Sequence, residues 1–132
     1  MVYQQQGSVR SKDPIVEAAA VMFLRDGWVD VRALAHTVGL GRATLYRRYA
    51  DRDCILGEAI WSIIEAGIPR LCRRIDATGG EFVAEFVRRG LHSSAALPAM
   101  RRFVSEHPDV AVRVMTSREG SFISAWLLRS RR

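Results

Sequence analysis

Helix punctuation is the feature that most constrains this chain. Asp13-Pro14 opens a helix, because Asp is a good N-cap and proline suits the first helical position. Ile15, Ala18, Ala19, Met22 and Phe23 follow at i, i+3, i+4, i+7 and i+8, one apolar face of a helical period. Gly27 stops this helix. Asp30 is the next N-cap, Leu34, Ala35 and Val38 give a short buried face, and Gly39 closes it. Leu40 and Leu45 read as inward-facing in the next segment. Asp51 caps a longer helix carrying Leu56, Ala59, Ile60, Ile63, Ile64 and Leu71, with Pro69 predicting a kink or an early end. Asp76 to Gly80 reads as loop. Helical stretches follow near 81–95, 98–106, 108–116 and 121–130, with Pro98 and Pro108 at first helical positions. Strand signals are nearly absent, so the expected fold is all-α.

The stretch "GLGRATLYRRYADRD", residues 39–53, carries the chemistry. Two short helices joined by a glycine turn make a helix-turn-helix. Ala35 lets the helices cross closely, and Gly39 can take the positive φ that the turn needs. Once Leu45 and Tyr49 turn inward, the 3.6 period fixes the opposite face. That face carries Arg42, Ala43, Thr44, Tyr46, Arg47 and Arg48. A helix entering a major groove needs short or flat side chains for base edges and donors for phosphate oxygens. Asp51-Arg52-Asp53 adds a helix start and a cation that suit a phosphate. The formal net charge of +6 over 132 residues favours an anionic partner, nucleic acid before membrane.

Other chemistries find little here. Gly39-x-Gly41-x-x-Thr44 lacks the third glycine of a dinucleotide fingerprint and follows a helix rather than a strand. His36, His92 and His107 have no ligand spacing, and Cys54 and Cys72 read as reduced, partly buried thiols. No nucleophile–base pairing is visible, so no enzyme, metal or cofactor is expected. The N-terminus lacks the apolar region of a signal peptide, and Glu58 and Glu65 interrupt the most apolar region. The expected location is the cytoplasm.

Residues 13–66 resemble the DNA-binding domain of the tetracycline-repressor (TetR) family of bacterial transcription regulators. "IVEAAAVMFLRDGW" and "VRALAHTVGLGRATLYRRYADRDCIL" carry the resemblance, above all Thr44-Leu45-Tyr46, an aromatic at 49 and Asp51-Arg52-Asp53. "GRATLYRRYADRDCILGEAIW" and "SEHPDVAVRVMTS" further resemble the lactone-responsive branch typified by QsdR. The resemblance implies base reading by Arg32, Arg42, Ala43 and Arg47, and phosphate or groove contacts by Thr44, Tyr46, Arg48 and Arg52. Three departures stand out: a shorter loop after Gly27, Gly41 where a serine often caps the recognition helix, and Tyr49 in place of a common phenylalanine.

The family architecture implies a flexible basic arm over 1–12, a helix-turn-helix domain over 13–53 with its recognition helix near 42–49, and a helical regulatory domain over 54–132. In such a domain Trp61, Phe86, Met100, Phe103, Met115, Phe122 and Trp126 would line an inducer pocket, although large apolar residues at helical spacing are more often plain core. Family members usually continue past Leu128-Arg129-Ser130-Arg131-Arg132 into the helices that form a homodimer, so the second domain is expected to be shortened. The resulting expectation is a ligand-responsive repressor on double-stranded DNA with a palindromic operator. The alternative is a truncated, monomeric interaction module that binds DNA weakly or caps a partner's helices.

Overall fold

The computed structural model describes residues 13–116. The arm over 1–12, the helix expected near 121–130, and Phe122 and Trp126 lie outside these residues. Seven helices make up the described chain: α1 (Pro14–Asp26), α2 (Val31–Val38), α3 (Arg42–Arg48), α4 (Arg52–Arg73), α5 (Gly79–Ala96), α6 (Pro98–Glu106) and α7 (Pro108–Thr116). The fold is all-α.

Three aspartates start three of these helices by the same mechanism. Each accepts backbone N–H groups that have no intrahelical partner. Asp13 takes Ile15 N–H at 2.9 Å, Asp30 takes Arg32 and Ala33 at 2.9 and 3.1 Å, and Asp51 takes Cys54 at 2.8 Å. Gly41 has no side chain to offer, so α3 begins without such a bond.

At the other ends, Gly27 and Gly39 adopt left-handed backbone with φ of 69° and 70°. The turn after α2 closes with Gly39 N–H on His36 O at 3.3 Å and Leu40 N–H on Ala35 O at 3.0 Å. This double closure corrects one expectation. It carries Leu40 past the buried side of α2 and leaves it 37% exposed, so within α3 Leu45 is the buried residue, with Tyr49 packed against the core just after it.

Two other boundaries differ from expectation. α4 continues through the exposed Pro69 to Arg73, so of the expected kink or early end the early end does not occur. A proline takes only its own donor out of the ladder, so the N–H groups that follow it can still bond back along the helix. α5 starts two residues early, at Gly79, in a Gly-Gly stretch that composition alone assigns to a loop.

A single apolar cluster runs through α1, α2, α3, α4, α6 and α7. α1 lies along α4, and its Ile15, Ala19 and Phe23 meet Ile55, Leu56 and Ile60 in that cluster. Phe103 of α6 closes on Phe23 edge to face, with ring centroids 5.5 Å apart at 78°. Leu45 brings α3 into the same core. Each fully buried Leu, Ile or Phe contributes roughly 1.5–3 kcal/mol of transfer free energy.

The expected pocket residues divide accordingly. Met100 and Phe103 fill the shared core, because α6 lies across α1. Trp61 is buried in α4, and Phe86 is half-buried and stacks on Phe82 at 6.1 Å. Met115 lies outside that core. α7 buries Val110, Ala111 and Val114, and their spacing leaves Met115 40% exposed. Among the described residues, no helix is long and apolar enough to cross a membrane.

Candidate nucleic-acid interface

α2, α3 and α4 all begin at the same end of the molecule, and each carries an arginine in its first turn. Arg32 is the second residue of α2, Arg42 the first of α3 and Arg52 the first of α4. These three line one open cleft of about 290 Å³ together with Tyr46, Asp30, Trp28, Val29 and Val31. Helix starts present partial positive charge, so the backbone and the side chains carry the same sign here. Asp30 is the one carboxylate in the lining, and it faces the N–H groups of Arg32 and Ala33.

The loop between α1 and α2 supplies the cleft wall. Val29 is fully buried and holds the loop to the core, while Trp28 is half-buried and turns toward α6 and α7. Its ring stacks on His107 at 3.9 Å and 24°, and lies 6.2 Å from Phe103. The Arg52 guanidinium carbon lies 4.7 Å from the centre of the same ring. Such a cation–π contact restrains the guanidinium while leaving its N–H edge able to donate. On the neighbouring turn, Arg113 of α7 reaches Asp53 at 3.0 Å and Asp109 at 3.3 Å. The corner between α6 and α7 therefore braces the start of α4.

Of the eight residues expected to contact nucleic acid, Arg32, Arg42, Tyr46 and Arg52 share the cleft. Ala43, Arg47 and Arg48 are exposed on α3 and Thr44 is half-exposed, all outside the cleft lining. Arg47 donates to Thr44 Oγ1 at 3.3 Å, one turn back along the helix. Arg48 turns toward the start of α1, 3.6 Å from Asp13 Oδ2.

Tyr49 follows α3 directly and points the same way. Its hydroxyl donates to the Asp13 carboxylate. Burial pushes the phenol pKa well up, and the Asp13 hydrogen bond and charge push it further. The hydroxyl is therefore the donor in this contact throughout the ordinary pH range.

Sequence reasoning passed over Trp28, His107 and Asp13 as members of this region. Trp28 follows a helix-stopping glycine directly, and that placement was the available signal. His107 reaches it only through the tertiary fold. Asp13 reads as a cap, and its second oxygen acquires a role only when the fold brings Arg48 and Tyr49 to the start of α1.

No family model, curated protein or solved structure matches the chain. Among the described residues, no group of three His, Cys, Asp or Glu side chains could hold a metal ion.

Proposed function

We propose that the protein is a sequence-specific DNA-binding transcription regulator of the tetracycline-repressor type, acting in the cytoplasm as a ligand-relieved repressor on a palindromic operator. α2, the Gly39 turn and α3 would form its helix-turn-helix, with α3 in the major groove. One observation carries the reading: Arg32, Arg42 and Arg52, from three helix starts, line one open cleft with Tyr46. That set suits a phosphodiester chain running past the first turns of α2 and α4, with Arg42 beside it at the edge of a base pair. The sequence's net charge of +6 agrees in sign.

On this reading two copies would occupy paired half-sites, and a small-molecule inducer would act through α4. A direct test is competition binding of the full chain to duplexes drawn from the DNA flanking its gene, at two salt concentrations. The expected result is preference for an inverted repeat, with affinity falling steeply as salt rises. Absence of duplex binding at low salt would overturn the reading.

The exposed row Val83, Val87 and Leu91 on α5 favours a second reading, an interaction module for a partner's helix. Light scattering of the pure chain, with and without duplex, separates the two: a monomer that never pairs on DNA favours the module.

A further inference from the structure

Asp13 does more than start a helix. Its Oδ1 accepts Ile15 N–H at 2.9 Å and caps α1. Its other oxygen, Oδ2, accepts the Tyr49 hydroxyl and lies 3.6 Å from Arg48 NH2. One carboxylate thus joins the first residues of α1 to the last residue of α3 and to the residue that follows it. Tyr49 meets it as a neutral donor, and Arg48 brings a positive charge to the same oxygen. That arginine is loosely held. Its side chain is 54% exposed, and 3.6 Å is an ion-pair distance rather than a short hydrogen bond.

We propose that Asp13 is a brake on DNA binding: its carboxylate competes with duplex phosphates for Arg48. This rests on the DNA-binding reading above and adds a regulator to it. To engage a phosphate, the Arg48 guanidinium must leave Asp13 or share itself between two anions. In either case Asp13 takes up part of the attraction that a phosphate would receive. The penalty is the same for every base sequence, because it acts on the phosphate chain. Discrimination is left to Arg42, at the opposite end of α3.

The size of the effect follows from exposure. An ion pair this open to water is weak, so releasing Arg48 should raise affinity roughly two- to five-fold. The slope of log affinity against log salt should steepen by about 0.9, the signature of one added phosphate contact.

The test uses the full chain and a labelled duplex of scrambled sequence, with binding followed by fluorescence anisotropy across a salt series. Four proteins are compared: the natural sequence, D13N, R48A and D13N/R48A. Asn caps a helix as well as Asp does, so D13N removes the charge and keeps the start of α1. D13S is run beside it as a second neutral cap. The expected result is tighter binding and a steeper salt slope for D13N and D13S, with the gain lost when Arg48 is absent. An equal gain with and without Arg48 would reduce the effect to net charge and overturn the brake. Unchanged or weaker binding by both neutral-cap variants, with the natural protein binding normally, would also overturn it. No binding by the natural protein at low salt would remove the DNA-binding reading itself, and the brake with it.

Discussion

α1 and α5 are both amphipathic helices, yet they are used in opposite ways. α1 buries Ile15, Val16, Ala19, Ala20, Met22 and Phe23 among its 13 residues, whereas α5 buries none of its 18. The difference is in partners as well as in composition, since α1 is the more apolar of the two. α1 is covered by α2, α4 and α6. α5 touches α4 and α6 and leaves Val83, Val87 and Leu91, one i, i+4, i+8 row, at 59%, 50% and 68% exposure. An apolar period therefore shows that a helix has an inward-looking face, and only the packing shows whether that face is met. The helices that present the arginines stand on the well-packed end, which suits a site that must hold several guanidiniums in register.

The largest test of this contrast is at Phe103, which sits between α1 and the Trp28 loop. Phe103→Ala should cost roughly 3–5 kcal/mol in chemical unfolding, as large-to-small changes do in closed cores. A loss below 1 kcal/mol would mean that α6 is not part of the core that holds the cleft. At the proposed interface, Arg42→Ala should relax preference at one base pair per half-site by about 1–3 kcal/mol while the melting temperature holds. A uniform loss over all sequences, seen by competition binding, would assign Arg42 to the phosphates instead.

Gly27 offers a sharper probe of the junction. An added Cβ there would stand 3.0 Å from Ala99 O and 3.0 Å from Arg102 Cβ, on backbone with φ of 69°. Gly27→Ala should cost about 1–2 kcal/mol from the left-handed conformation alone, and more from the contact with α6. Gly39 has the same φ but open space around it, so Gly39→Ala should cost only the conformational part. Equal losses at the two sites, compared by urea denaturation, would show that the α1–α2 turn does not press on α6.

α5 should respond to acid before the core does. Glu85 lies 2.7 Å from Arg88 and also pairs with Arg89, and hydrogen bonds from these two arginines hold its pKa down to about 2. Arg89 in turn donates to Arg74 O at 3.0 Å, joining α5 to the end of α4. A depressed carboxylate stabilises the fold above its unfolded value and loses that contribution as pH falls through the folded one. Amide exchange in α5 should therefore accelerate as pH drops from about 4.5 toward about 2, after correction for intrinsic rates, and Glu85→Gln should flatten that response. The smallest effect is expected at Val87→Ser, within about 0.5 kcal/mol, since the side chain is already half in water. A larger loss would reveal that this row is covered in solution.

Local chemistry made much of this legible. Asp13, Asp30 and Asp51 start helices where an oxygen can reach orphan N–H groups, and Gly27 and Gly39 stop them where φ turns positive. Pro98 and Pro108 likewise begin α6 and α7. The outward side of α3 followed from Leu45 turning in. Leu40 misled because hydrophobicity alone does not say which way a residue points after a left-handed glycine. Gly79-Gly80 misled because two poor helix formers can still lie in a first turn. Met100 and Phe103 could not be assigned to core or pocket from spacing, since both uses need the same residues at the same period. The Trp28–His107 stack was invisible for a different reason: its two halves are far apart in the chain, and neither has a local pattern that demands the other.

That stack also bears on modularity. Trp28 belongs to the segment that carries the cleft, and its platform, His107, belongs to the corner between α6 and α7. Phe23 and Phe103 repeat the arrangement one layer deeper. A fragment cut after residue 53 would thus carry every proposed DNA contact, with Trp28 and Phe23, but neither of the rings they pack against, His107 and Phe103. Transplanting this cleft into a chimera would require the α6–α7 corner to travel with it, so the smallest portable unit is discontinuous in sequence.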